Sequence, residues 1–119
     1  RLKPESLKFL ALFSSVSGRF GNAGQCDYSA ANEYLNKLAA HLDRRWPGRV
    51  VAFNWGPWDG GMVSDELRRL YDKHDIGMIP QEEGARMFLS ELGLNGDGVP
   101  EVILACDVRR IAAGGKLTD

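Results

Sequence analysis

The sequence predicts an α/β protein built on a parallel sheet, and three observations carry that expectation. Three short runs are almost wholly apolar, as strands covered on both faces are: Lys8 to Val16 (KFLALFSSV), Arg49 to Trp55 (RVVAFNW) and Glu101 to Cys106 (EVILAC). Between them lie stretches whose apolar residues recur at helical spacing. Each connection is long enough for a crossover, so consecutive strands should pair in parallel as right-handed βαβ units.

Taken in order, the first run ends in Ser14 and Ser15, which puts polar groups at the carboxyl end of its strand. Ser17 to Gln25 (SGRFGNAGQ) reads as a turn-rich connection. From Asp27 to Trp46 the apolar residues Ala31, Leu35, Leu38, Ala39 and Leu42 mark one helix, which Pro47-Gly48 stops. After the second strand comes the loop Gly56 to Gly61 (GPWDGG). Ser64-Asp65-Glu66 opens a charged helix that ends near Asp75, its charge run forming the solvated face. Ile76 to Pro80 interrupts it. A further helix starts after Pro80 with Glu82 and Glu83 in its first turn, carries Ala85, Phe88, Leu89 and Leu92, and stops at Gly93. Pro100 stands at the entrance of the third strand, where a missing N–H is tolerated.

Composition narrows the function. The 119 residues amount to about one small domain, and at 44% hydrophobic they can bury a core. Fifteen basic and sixteen acidic residues give a net charge of -1 with the signs interleaved, which excludes a nucleic-acid binder acting through a basic face. The longest apolar stretches, Phe9 to Phe13 and Val102 to Cys106, fall far short of the ~20 residues a membrane span needs. Cys26 and Cys106 lie eighty positions apart, so neither a disulfide framework nor a metal site is suggested, and a reducing, cytoplasmic setting is the expectation. The chain opens at Arg1 with neither Met nor a signal-like apolar region, and reads as a piece of a longer polypeptide.

Ligands of open parallel sheets bind outside the carboxyl ends of the strands. Those ends hold Ser14-Ser15 and Trp55-Gly56-Pro57. On a wheel of about 100° per residue, Tyr28 and Asn32 fall inside the apolar stripe of the long helix, opposite Glu33, Lys37 and Arg44. A phenol and an amide on a buried face cost roughly 1–3 kcal/mol each unless their hydrogen bonds are made. Satisfied core residues would explain the pair if it stood alone, but Ser15 lies thirteen residues before Tyr28, across a glycine-rich loop.

Phe13-Ser14-Ser15-Val16-Ser17-Gly18, Gly21-Asn22-Ala23-Gly24-Gln25, Tyr28-Ser29-Ala30-Ala31-Asn32 and Trp55-Gly56-Pro57-Trp58 follow one another in an order and spacing that resembles a known family. It is similar to the short-chain dehydrogenase/reductase superfamily, and within it to the ketoreductase domains of modular polyketide synthases. The likeness implies the C-terminal part of a doubly wound parallel (Rossmann-like) sheet, three strands with flanking helices and a helical lid at about 62–79. Residues 1–119 would form a single partial domain, the catalytic half, with the N-terminal cofactor-binding half outside it. It implies Ser15 as the hydroxyl that orients the carbonyl, Tyr28 as proton donor and Asn32 as part of a polar relay. Most of the superfamily has Lys where Asn32 stands; the polyketide branch has Asn there and takes its Lys from an upstream helix. A phenol titrates near pH ~10 and a neighbouring cation lowers that value, which is the work of the family's Lys. Lys3, Lys8, Lys37, Lys73 and Lys116 do not match its position.

The same resemblance implies NADPH as hydride source, with Trp55, Gly56 and Pro57 cradling the nicotinamide and Gln25, Trp58 and Met62 bordering the substrate channel. The glycine-rich phosphate loop is absent: Gly21-Asn22-Ala23-Gly24 lacks the G-x-G-x-x-G spacing and follows no first strand. The implied partners are the N-terminal half of the same domain and a β-ketoacyl substrate on an acyl carrier protein, with self-association possible through an exposed strand edge. Nucleic acid, membrane and metal are not expected. Cys26 is expected as a small packed side chain and not as a nucleophile, since no His accompanies it; His41 and His74 are expected at the surface. Two other functions compete: a non-catalytic structural module of a megasynthase, which should have lost the Ser, Tyr and Asn set, and a free-standing alcohol or sugar dehydrogenase, against which Asn32 argues. Phe20 stands where the family's Trp marks one hydroxyl configuration, so the stereochemical outcome is unread.

Overall fold

A computed structural model describes residues 2–94 and 98–113. After a single 3-10 turn, Pro4–Ser6, the chain forms β1 (Phe9–Ser15), α1 (Val16–Phe20), α2 (Cys26–Asp43), β2 (Arg49–Trp55), α3 (Asp65–Lys73), α4 (Gln81–Leu92), β3 (Glu101–Leu104) and α5 (Val108–Ala112). The strands lie in the order β1-β2-β3, all parallel, with Phe9 beside Arg49 through Ser15 beside Trp55, and Ala52 beside Glu101 through Trp55 beside Leu104. The apolar runs predict this open parallel sheet, and the family resemblance its Rossmann-like form.

The central strand explains why its run has no polar alternation. Val51, Phe53 and Trp55 face one side, where Ile79, Phe88 and Leu92 pack on them; Val50 and Ala52 face the other, under Ala39, Leu42 and Trp46 of α2 and the turn after it. Both faces are dry, so hydrocarbon is favoured at every position. Phe13 of β1 closes the α4 side, with its ring 5.3 Å from Phe88 and 5.6 Å from Trp55. At Gly84 on α4 a Cβ would stand 2.3 Å from the Trp58 ring, so only glycine lets that indole come so close to the helix. Arg49 at the start of β2 ties in the end of α4 through a 2.7 Å ion pair with Glu91.

Several boundaries differ from the sequence reading. β1 leaves out Lys8 and Val16, and β3 stops at Leu104. The segment read as turns contains α1, because the Ser15 hydroxyl accepts the Ser17 N–H as an N-cap and Gly21, at φ 75, ends the helix. α2 stops at Asp43, three residues before Trp46, because the Asp43 carboxylate turns away to accept the Val50 N–H at 2.9 Å. α5 was unforeseen, and Asp107 caps it by accepting the Arg110 N–H. α3 and α4 start and end where caps and charges place them, with Ser64 accepting the Leu67 N–H. Among the described residues β1 has no strand on its outer edge, and Phe9 and Phe13 are 48% and 59% exposed there. No described helix is long and apolar enough to cross a membrane. Lys116 lies outside the described residues.

Candidate active site

The carboxyl ends of β1 and β2, the start of α2 and the inner face of α3 enclose a cleft of about 1050 Å³. Ser15 ends β1 and is buried, with its Oγ accepting the Ser17 N–H at 3.2 Å and lying 3.3 Å from the Ser17 hydroxyl. Tyr28 enters from the first turn of α2. Trp55, Gly56 and Pro57 form the wall that continues β2, and Gln25, Trp58 and Met62 also line the cleft. Of the nine residues expected at the site, eight therefore share this space. Asn32 does not reach it and lies one turn behind Tyr28.

Tyr28 and Asn32 were both expected on the buried face of α2, and only Asn32 is. Asn32 is 7% exposed, whereas Tyr28 is 41% exposed and opens to the cleft. The Ser14 hydroxyl near the end of β1 meets α2 at the Asn32 carbonyl, so the first turn of the helix lies past the described strands. Ala31, counted in the apolar stripe, is exposed as well, and Asn36, not counted, is fully buried. The Asn32 amide donates to the Tyr28 backbone carbonyl at 2.8 Å, and its own backbone carbonyl accepts the Ser14 hydroxyl at 3.0 Å.

Gly18 explains how α1 comes close enough to seat this turn. A Cβ there would stand 2.9 Å from three atoms of Asn32 and Glu33, two of them backbone, so no side-chain rotation relieves it. Gly18→Ala is expected to push α1 off α2 and to destabilise the protein by about 1–3 kcal/mol, as overpacking does. A thermal melt unchanged from the wild type would refute this.

The lid-like helix contributes residues that the motif reading missed. Leu67, Leu70 and Tyr71, at helical spacing on α3, face the cleft, and that spacing was the available signal. Burial, and then the neighbouring Tyr28 phenol, push the Tyr71 hydroxyl above its ordinary titration range, so it stays protonated at neutral pH. Ion pairs tether α3 at both ends: Arg68 to Asp59 at 2.6 Å, and Asp75, just past the helix, to Arg110 of α5. No lysine lines the cleft among the described residues.

Cys26, expected to be packed, is exposed, because it opens α2 beyond the end of the sheet; Cys106 is exposed and free too. His41 is exposed beside Arg45. His74, expected at the surface, is half-buried with its Nε2 enclosed, since the left-handed Asp75 (φ 54) turns the chain back at that point. No cluster of His, Cys, Asp or Glu among the described residues could hold a metal ion.

An open parallel sheet with a cleft at its carboxyl ends defines a Rossmann-like α/β protein. More narrowly, the family model described as the KR domain matches residues 1–60, half of the chain, and this chain belongs to that family, the ketoreductase domains of polyketide synthases. Over 113 residues it is 44% identical to a polyunsaturated fatty acid synthase polypeptide of Thraustochytrium sp. (strain ATCC 26185 / S-3), covering 95% of this chain and 4% of that protein. It is 33% identical over 113 residues to the polyketide synthase PksN of Bacillus subtilis (strain 168), covering 88% and 2%. The chain is thus a small fraction of the length of these relatives. Among solved structures it resembles the ketoreductase from the first module of phoslactomycin biosynthesis in Streptomyces sp. HK803, with a TM-score of 0.68 at 33% identity, covering 83% of this chain and 23% of that one. It also resembles a C2-type ketoreductase from a modular polyketide synthase, with a TM-score of 0.72 at 25% identity over 88% and 22%.

Proposed function

We propose that this chain supplies the substrate-facing half of a ketoreductase that reduces a β-ketoacyl thioester, carried on an acyl carrier protein, to the β-hydroxyacyl thioester with NADPH. The observation that carries this reading is that Ser15 and Tyr28, thirteen residues apart, both line one cleft with the Trp55-Gly56-Pro57 wall. A non-catalytic module has no need of that convergence.

The residues present suit the nicotinamide end of the cofactor. Trp55 is buried on the cleft wall, and its indole N–H, itself buried, finds no partner among the described residues. Gly56 packs its bare Cα against Ala105, where a Cβ would stand 2.8 Å from that side chain, and so keeps the wall flat. No glycine-rich phosphate loop occurs in these 119 residues, and we assign the pyrophosphate and the phenol-tuning lysine to an N-terminal half of the same domain.

When bound, the cofactor supplies the hydride that no side chain can donate. The Ser15 hydroxyl orients and polarises the ketone oxygen, and Tyr28 delivers the proton to that oxygen as charge develops on it. Leu67, Leu70 and Tyr71 of α3 exclude water over the acyl chain, and residues 62–79 act as the lid. Asn32 holds the Tyr28 turn through its amide and serves the relay from behind.

The reading is tested in the full-length protein that carries this chain, with a β-ketoacyl N-acetylcysteamine thioester and NADPH. NADPH oxidation with formation of the hydroxy thioester is expected; recovery of the ketone unchanged would sink the proposal. Asn32→Ala is expected to lower kcat more than it raises KM, since a relay group acts after substrate and cofactor are bound. Steady-state kinetics decide, and a change confined to KM would give Asn32 a binding role instead.

A further inference from the structure

Beneath the cleft lies a buried polar cluster in a layer otherwise made of hydrocarbon. Asn54 of β2 is 0% exposed and sits on the same face as Val50 and Ala52. Its Oδ1 accepts from the Asn36 amide at 2.9 Å and lies 3.3 Å from the Ser14 hydroxyl, while its Nδ2 donates to the Glu101 carboxylate at 3.1 Å. Asn36 donates in addition to the Glu33 carboxylate at 3.0 Å. Ionised carboxylates only accept, so Glu33 and Glu101 fix which way both amides point and leave Asn54 Oδ1 facing Ser14. The single Ser14 proton is shared between that oxygen and the backbone carbonyl of Asn32, 3.0 Å away.

The chain positions of these groups give the cluster its meaning. Ser14 precedes Ser15, Asn54 precedes Trp55, and Ser14 and Asn54 are direct neighbours in the sheet register. Asn32 and Asn36 are the next two turns of α2 after Tyr28. Each of the three segments that present a group to the cleft therefore has a residue bonded into one hub, next in sequence on the two strands and one to two turns on in α2. Apolar packing is non-directional and would let α2 slide along the sheet, whereas directional buried hydrogen bonds favour one arrangement; of the hub's amide atoms, Asn36 Oδ1 finds no partner among the described residues.

We propose that Asn54 is a positioning residue for the reaction, acting through Ser14 and Asn36 to fix the spacing between the Ser15 hydroxyl, the Tyr28 phenol and the Trp55 wall. Asn54 touches neither substrate nor cofactor. The proposal rests on the ketoreductase reading above. It differs from a role in stability alone in placing the cost of breaking the link on turnover, because small misplacements of reacting groups cost rate steeply.

The test uses four variants of the full-length protein: Asn54→Ala, Ser14→Ala, Ser14→Thr and the Asn54→Ala/Ser14→Ala double variant. Ser14→Ala cuts the same link while removing one oxygen atom, so it reports if Asn54→Ala fails to fold. For Ser14→Ala and folded Asn54→Ala, kcat should fall roughly ten- to a hundred-fold, with KM for the thioester and for NADPH within about two-fold. Ser14→Thr keeps the hydroxyl and should regain most of the loss, and the double variant should be no worse than the poorer single one. A folded Ser14→Ala protein with wild-type kcat, or a loss confined to KM, overturns the proposal. Should the wild-type protein leave the ketone untouched, the ketoreductase reading fails by itself, and hydrogen exchange then judges the link. Loss of protection at residues 28–36 in Ser14→Ala, regained in Ser14→Thr, supports it; unchanged protection overturns it.

Discussion

Tyr28→Phe in the full-length protein is expected to remove nearly all ketone reduction, about 10²- to 10⁴-fold in kcat, the range in which a positioned general acid contributes. The ring remains to fill its side of the cleft and only the hydroxyl is lost. Tyr28 is 41% exposed, so deleting that oxygen leaves the packing of α2 on the sheet as it is. Circular dichroism and the melting midpoint should match the wild type while NADPH oxidation with the thioester falls away. A folded Tyr28→Phe protein with wild-type turnover would remove this phenol from the mechanism. The Tyr71 phenol, on the same cleft, makes a direct internal comparison: Tyr71→Phe should leave most of the turnover in place.

The purified 119-residue chain, by contrast, is expected to reduce no ketone, to bind NADPH weakly or not at all, and to associate through the outer edge of β1. That edge is seven residues long, it is nearly all apolar, and Phe9 and Phe13 stand 48% and 59% exposed along it. An unpaired edge of this kind presents a row of free N–H and C=O groups and templates another strand. In the proposed reading its natural cover is the cofactor-binding half of the domain, which also brings the phosphate loop and the lysine. Solved ketoreductase chains are several times longer than the part this chain matches, 23% and 22% in the two described above. Light scattering should report a species heavier than one chain, and cofactor fluorescence should show no saturation at micromolar NADPH. Phe9→Lys, which places a charge on the edge, should shift the mass toward the monomer. A wild-type monomer that binds NADPH at micromolar concentration and turns over would show the reasoning to be wrong.

Much of the architecture is local chemistry and is legible in the sequence. Arg49–Trp55 reads as a buried strand because both of its faces are dry, and every residue after Arg49 is buried in the fold. α3 begins after Ser64 and α4 after Pro80 because caps and first-turn acids act within one turn of chain. Ser15, Tyr28 and Trp55 could be named because a motif is a spacing, and spacing is what a sequence records. What the sequence could not hold is where an element ends relative to its neighbours. The helical wheel gives Tyr28 a direction but not its height, and its exposure follows from the first turn of α2 standing beyond the end of the sheet. α1 is five residues long, and it is held by a Ser15 cap and by the 2.9 Å approach that glycine allows at position 18. The pairing of Asn36 with Asn54 and of Ser14 with Asn32 spans eighteen residues in each case. Tyr71 meets the space of Tyr28 only because α3 folds back over the strand ends. Periodicity and caps act over a few residues and determine which elements form and which faces are dry. Hydrogen bonds between elements need the crossing angle and offset of two packed bodies, and the tertiary structure alone decided those.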